Sequence, residues 1–316
     1  MGRPRAGERT SDVRIAWTRI GLAVLAGSGL LVGCGPVHPQ ATTVVASTDV
    51  WGSVARAVTG RHVAVKSIVR GAQADPHSYQ ATPSDAAAVT DATLVVYNGG
   101  GYDPWLAQIL AGHRSVASVD AYSFVTTAGN ADKTGQPPNE HVFYNLSVAK
   151  SVATSIADRM AAIDPGHAAD YRANAAEFCR GADAIANSEH AIASAYPHAG
   201  VIATEPVGYY LLAASGLINR TPPAFSAANE NETDPSPTDM ASVLDLIDHR
   251  QVSALIVNPQ TATAAIGGVE EAARRAGVPV TEVTETLPDG TDYLTWQRRT
   301  VDNLLAALRA NGYAKS

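Results

Sequence analysis

From Thr43 onward the chain alternates short β-branched runs with alanine-rich stretches of helical period, and that cadence restricts it to folds built from βαβ units. Val44-Val45-Ala46-Ser47 is followed by a helical pattern from Trp51 to Thr59, an extended run Val63–Val69, a helical pattern from Pro83 to Thr90, and the run Leu94–Tyr97. A second series starts at Ala199–Thr204 and repeats at Ala254–Asn258 and Val278–Val283. Strands joined by crossover helices run parallel, carry helices on the sheet faces and gather ligands beyond their carboxyl ends. At 316 residues the chain exceeds the usual size of one core, so two lobes are expected. Between the two series, Leu146–Asp164 and Pro165 to about Ala195 read as helices, with Asp164 as N-cap and Pro165 in the first turn of the second. A helix of that length spans ~45 Å. The expected fold class is therefore α/β: two lobes, each with a small parallel β-sheet flanked by helices, joined by one long backbone helix. A helix hinges poorly, so closure is expected to be small.

Four residues fall where strands of these series end. His77 stands in Asp75-Pro76-His77-Ser78-Tyr79 and His141 in Asn139-Glu140-His141-Val142-Phe143. Glu205 follows Thr204 in the first strand of the second series, and Glu285 stands in Thr284-Glu285-Thr286 beyond the last, with Glu282 nearby as the alternative to Glu285. Two ligands from each lobe place a metal site in the interlobe cleft. Imidazole nitrogen with carboxylate oxygen suits borderline to hard divalent first-row ions, and the lack of any ligating thiol argues against a structural zinc knot.

The motifs around these positions resemble those of the substrate-binding lipoproteins of zinc and manganese ABC transporters, the ZnuA/TroA-like family. The stretch Ala74-Asp75-Pro76-His77-Ser78-Tyr79-Gln80-Ala81-Thr82-Pro83-Ser84-Asp85, followed by Leu94 to Trp105, is similar to the family's first-ligand motif. Glu140 to Asn145 is similar to the second, Glu205 to Gly216 to the third, and Pro279 to Asn303 to the fourth, so the resemblance covers residues 42–316. It implies a metal-ligand role for His77, His141, Glu205 and Glu285 and for those four alone. Several departures bear on the cargo. The family's third ligand is often His in zinc-selective members and Glu in manganese-type ones, so Glu205 tilts the resemblance toward manganese. The fourth is usually Asp, and Glu285 is one methylene longer. Asn145 stands where Asp is common and Phe143 where Trp is common. The segment Thr126 to Pro138 contains no histidine, unlike the His-rich loop of many zinc-type members.

The N-terminus reads as a bacterial lipoprotein leader. Arg3, Arg5, Arg9, Arg14 and Arg19 precede a 13-residue apolar stretch from Ile20 to Val32, which ends in Leu31-Val32-Gly33-Cys34. That stretch is shorter than the ~20 residues of a membrane-spanning helix. Residues 1–33 are the expected signal peptide, Cys34 the acylated (palmitate-type) residue and 34–41 a tether; 42–145 are the N-terminal lobe, 146–195 the helical linker and 196–316 the C-terminal lobe. Removing five arginines with Glu8 and Asp12 takes the formal charge from −7 to −10, which excludes nucleic-acid binding by charge and suits a cation concentrator. With Cys34 acylated, Cys179 has no disulfide partner and reads as a buried small apolar residue in a helix.

Other motifs carry less. Gly99-Gly100-Gly101 lacks the Lys-Ser/Thr of a phosphate loop. Glu230 to Asp239 reads as an acidic loop leading into a helix from Met240 to His249, and His38, His62, His113, His167, His190, His198 and His249 share no motif. The function expected is capture of a divalent transition metal, Mn2+ or Zn2+ ahead of Fe2+, at the extracytoplasmic face of the cell membrane. A lipid-anchored monomer of this kind delivers its ion to an ABC permease and its ATPase and is no enzyme; its affinity is expected to fall below about pH 6, where histidine protonates. A surface adhesin on the same fold is the alternative. A metallohydrolase is a further one, and no His-Glu-x-x-His pattern supports it.

Overall fold

The computed structural model describes residues 42–72, 74–127, 137–231 and 233–311. The proposed leader, tether and Cys34 lie outside the described residues. Each half of the chain forms a four-stranded, wholly parallel sheet. In the N-terminal half β1 (Thr43–Thr48), β2 (Ala64–Val69), β3 (Leu94–Tyr97) and β4 (Ser118–Asp120) are arranged 2-1-3-4. The crossovers carry α1 (Asp49–Thr59), α2 (Pro83–Thr90) and α3 (Pro104–Gly112), and α4 (Ser123–Thr127) follows β4.

Two helices, α5 (Leu146–Ile163) and α6 (Ala168–Ala195), lead to the second half. There β5 (Gly200–Ala203), β6 (Ile218–Asn219), β7 (Ala254–Val257) and β8 (Val280–Glu282) repeat the arrangement as 6-5-7-8. Their connections hold α7 (Tyr209–Ala214), α8 (Pro223–Glu230), α9 (Pro237–Asp248) and α10 (Ala264–Ala276), and α11 (Tyr293–Ala310) closes the chain. In both sheets the order reverses between the first and third strands, which opens a crevice beyond their carboxyl ends.

The alternation within each strand explains the layering. Val44 and Ala46 of β1 face one large core, while Val45 faces a separate cluster with Leu106 under α3. In β5, Val201 and Ala203 join that same large core and Ile202 joins a second outer cluster with Val243 and Ile266. The large core also takes in Ile156 of α5, Phe178 and Ile185 of α6, and Leu304 of α11, so apolar packing is continuous from one sheet to the other through the helices between them. At 28 residues, α6 runs for ~42 Å. It approaches α11 closely at Gly181, where a Cβ would lie 2.6 Å from Leu294 Cδ1.

Local chemistry departs from the sequence expectation at several points. The first turn after Asp164 is a 3-10 turn, Pro165–His167, and α6 begins only at Ala168. Asp164 does not cap it through backbone amides: its carboxylate accepts from Tyr171 Oη at 2.6 Å and pairs with His167 Nδ1 at 2.7 Å. Ser236, accepting from the Asp239 amide, starts α9 three residues ahead of the expected Met240. Short β4, β6 and α8 carry too few residues for a periodic signal. Cys179 is half-buried, with Sγ 3.9 Å from the Lys150 carbonyl between α5 and α6, rather than fully buried. Among the described residues no helix is long and apolar enough to cross a membrane.

Because one core joins both sheets, urea unfolding followed by tryptophan fluorescence is expected to show a single transition. Ile185→Ala, at a fully buried position of α6, is expected to lower stability by about 2–5 kcal/mol without splitting that transition. Two separated transitions would show that the halves do not share a cooperative core.

Candidate metal centre

The expected residues converge at the crevice. His77 lies on the loop after β2, His141 at the start of a 3-10 turn Val142–Tyr144 before α5, Glu205 just after β5 and Glu285 after β8. One ligand atom each from His77, His141 and Glu285 lies within 4.8 Å of the others. His77 Nε2 is 3.0 Å and His141 Nε2 3.5 Å from Glu285 Oε2, and the two imidazole nitrogens are 3.4 Å apart. Atoms bound to one ion at ~2.1 Å lie ~3.0 Å apart at neighbouring octahedral corners and ~3.4 Å apart at tetrahedral ones. The three donors therefore already stand at the spacing of a coordination shell.

Each donor is aimed by a neighbour. His141 Nδ1 lies 3.2 Å from Asn139 Oδ1; donation of its proton there leaves the Nε2 lone pair facing the cluster. Asn98, wholly buried, donates from Nδ2 to the Glu140 carbonyl at 2.8 Å and accepts from Trp51 Nε1 at 3.1 Å, which ties the approach to His141 onto the first sheet. Gly99, Gly100 and Gly101 all have positive φ, and a Cβ on Gly99 would lie 2.2 Å from Asp120 Oδ1. That turn, not a phosphate loop, delivers Tyr102, whose ring stands edge-on to His77 at 4.7 Å and to His141 at 5.7 Å.

Glu205 stands one side chain further out. Asn258, at the end of β7, donates from Nδ2 to Glu205 Oε2 and to Glu285 Oε1, each at 2.9 Å, and Thr261 Oγ1 donates to the other Glu205 oxygen. The Asn258 amide is itself oriented by Gln260 N donating to its Oδ1 at 3.1 Å. Gln260 then spans the cleft, donating to the Ala74 carbonyl at 2.7 Å and to Thr286 Oγ1 at 2.8 Å while accepting from the Glu285 amide at 2.6 Å. Tyr144 Oη donates to the Thr284 carbonyl at 2.9 Å and accepts from its amide at 3.1 Å, which fixes the arm carrying Glu285. Glu282, exposed at the end of β8 and paired in register with Val257, lies away from the cluster.

The electrostatics follow from burial and proximity. Burial alone would push the Glu285 carboxyl up, but hydrogen bonds and charge from His141 and His77 outweigh it and hold the group well below the usual carboxylate range. For His77 burial works against the charged form, yet the Glu285 carboxylate raises it to about 9. Burial raises Glu205, against the opposing hydrogen bonds from Thr261 and Asn258. At the outer edge, burial and the charge of Glu140 lift Glu230 to about 7.

Residues 44–307 match the family described as ZnuA, zinc-uptake complex component A, periplasmic. The chain belongs to the ZnuA family. It is 25% identical over 280 residues to the manganese-binding lipoprotein MntA of Bacillus subtilis, across 82% of this chain and 86% of that protein. It is also 25% identical over 164 residues to the manganese ABC transporter substrate-binding lipoprotein PsaA of Streptococcus pneumoniae serotype 4, where the match spans 52% of PsaA. Among solved structures, the periplasmic zinc-binding protein TroA from Treponema pallidum shares the fold with a TM-score of 0.71 at 17% identity, covering 85% of this chain and 99% of TroA.

Sequence reasoning placed the four candidate donors of this ZnuA-family chain but missed the residues that aim them. Asn258, Gln260 and Thr261 follow directly on the buried strand Ala254–Val257, and a polar Asn-Pro-Gln-Thr run at that point was the available signal. Glu230 was hidden in what read as a loop, because α8 is only 8 residues long.

The cross-cleft pair sets a pH signature for the cation-free chain. His77 has a folded value raised from 6.5 to about 9, so its stabilising contribution is fully present below about pH 6.5 and is lost as pH rises through about 9. Glu285 has a lowered folded value, so its contribution is lost only as pH falls below the ordinary carboxylate range. Without metal, the melting temperature is expected to drop by a few °C between pH 6.5 and 9. His77→Gln is expected to remove most of that drop, and an unchanged slope would show the pair to be energetically silent.

Proposed function

We propose that this chain captures a divalent transition-metal cation, Mn2+ or Zn2+, outside the cytoplasmic membrane and hands it to an ABC permease powered by its ATPase. The convergence of His77, His141 and Glu285 at coordination spacing is the observation that carries this reading. Family membership and the manganese-binding names of its relatives support it. Neutral Nε2 atoms of His77 and His141 donate nitrogen, and Glu285 and Glu205 donate oxygen and cancel the ion's two charges. Glu205 joins by turning an oxygen from Thr261 toward the ion while Asn258 keeps hold of the other. Once the expected leader 1–33 is removed, acylated Cys34 tethers the protein to the membrane, and it acts as a monomeric carrier with no catalysis of its own.

Capture requires a proton to leave. With His77 raised to about 9 by Glu285, its Nε2 is protonated at neutral pH and must give up that proton to a cation. Proton competition is therefore expected to weaken apparent affinity from about pH 9 downward, well above the pH 6 that an isolated histidine would set. Calorimetry in buffers of different ionisation heat is expected to show close to one proton released per cation at pH 7, falling toward zero above pH 9. No release at pH 7 would remove His77 from the ligand set.

Substitution separates ligands from their supports. His77→Ala and Glu285→Gln are each expected to weaken Mn2+ and Zn2+ binding by at least about 100-fold. Asn258→Ala, which leaves all four donors in place but frees two carboxylates, is expected to weaken it by about 10–100-fold. Competition against a chelating dye reads all three, and full-strength binding by the Glu285→Gln protein would overturn the site.

A further inference from the structure

A second set of donors adjoins the first. One ligand atom each from Glu140, His141 and Glu230 also lies within 4.8 Å of the others, so buried His141 is shared by two three-residue clusters. Glu140 comes from the coil ahead of His141, and Glu230 is the last residue of α8 in the other half. Both line a cavity of about 390 Å³ between the halves, with Tyr122, Tyr209 and Tyr210 on its walls. Its rim is held in place: Tyr210 Oη donates to the Asn139 carbonyl and Tyr122 Oη to the Pro138 carbonyl, each at 2.7 Å. Asn229 Nδ2, donating to the Thr204 carbonyl at 3.0 Å, anchors the end of α8 beside Glu205.

Two carboxylates face each other across the cavity, and among the described residues neither forms an ion pair with a Lys or Arg. Glu230 also sits at the carbonyl end of its helix, where the backbone dipole disfavours negative charge. A divalent cation would relieve both conflicts at once.

Resting on the cargo reading above, we propose that Glu140, His141 and Glu230 form an outer transit site for that cation. The ion exchanges part of its water shell for the two carboxylates at the cavity floor, is taken up by His141, and moves across that shared imidazole to His77 and Glu285. Sharing His141 keeps the stoichiometry at one ion. A site on the path that is absent from the end state speeds entry and exit by the same factor and leaves equilibrium affinity unchanged.

The test is stopped-flow binding of Co2+ to the full chain in 0.5 M salt, where long-range steering by surface charge is screened. Release is read by capture with excess chelator. For Glu140→Gln/Glu230→Gln both the association and the release rate are expected to fall at least about tenfold, with Kd within about twofold and one ion still bound. The control Glu177→Gln/Glu271→Gln removes the same charge from exposed helix positions and is expected to match the unsubstituted chain. Association as fast as the control would overturn the transit site, and so would a weakened Kd with unaltered association. Either single substitution, expected to give part of the same slowing, serves if the double variant does not fold. Failure of the unsubstituted chain to bind Co2+ would remove the cargo reading and this site with it. Binding that is lost in His77→Ala but kinetically untouched in the Glu140/Glu230 variant would remove the transit site alone.

Discussion

A carboxylate 1% exposed needs a partner where it stands, and Glu285 finds one across the cleft in His77, with His141 beside it. Two half-chains are thereby held at a distance that a small cation reproduces. An unpaired buried charge is strongly unfavourable, so either a proton on His77 or a divalent ion has to be present. Under the proposed ligand set, cation and proton compete for one position, and the pair gives the closed arrangement a reason to persist without cargo.

The contacts around that pair explain why the cleft is narrow. Asp49 accepts from Gly71 N at 2.9 Å and from Leu287 N at 3.1 Å, and Thr286 donates to the Gly71 carbonyl at 3.0 Å. Deeper in, Tyr293 Oη and Gln297 Nε2 both donate to the Phe143 carbonyl, at 2.7 and 3.1 Å. All but the Gly71–Asp49 bond link residues more than a hundred positions apart in sequence, and α6 packs behind them as part of the same core. Wide opening would expose that core and break these bonds together. Local movement of the loop bearing His77 leaves the core intact, and under the proposed function it offers a route for an ion to enter and leave.

The architecture was legible in the sequence because short apolar, β-branched runs recur between stretches of helical period, and a 28-residue helix adds a strong periodic signal. The candidate donors were legible because each stands inside a motif similar to a known family; His141, expected where a strand ends, instead opens the 3-10 turn before α5. The supports were not. Asn258 and Gln260 work through single hydrogen bonds to partners between 25 and 186 positions away, and no local pattern encodes such pairings. The 3-10 turn at Pro165 was missed for a different reason: Asp164 answers to the nearby side chains of His167 and Tyr171 rather than to the amides of the helix it precedes.

The placement of Glu205 bears on how the site meets different metals. In the proposed site His77, His141 and Glu285 would supply three donors directly, while Glu205 is restrained by Asn258 on one oxygen and Thr261 on the other. An ion content with four bonds needs one oxygen from Glu205, at the loss of the Thr261 bond alone. A larger ion that takes five or six can add water or the second oxygen of a carboxylate, and in the second case Asn258 has to release one or both of the glutamates it bridges. Under the proposed ligand set, the amide of Asn258 would therefore oppose two-oxygen binding by either glutamate. It favours the smaller shell by the strength of its two charge-assisted hydrogen bonds and yields to the larger one only when the added metal–oxygen bonds exceed them.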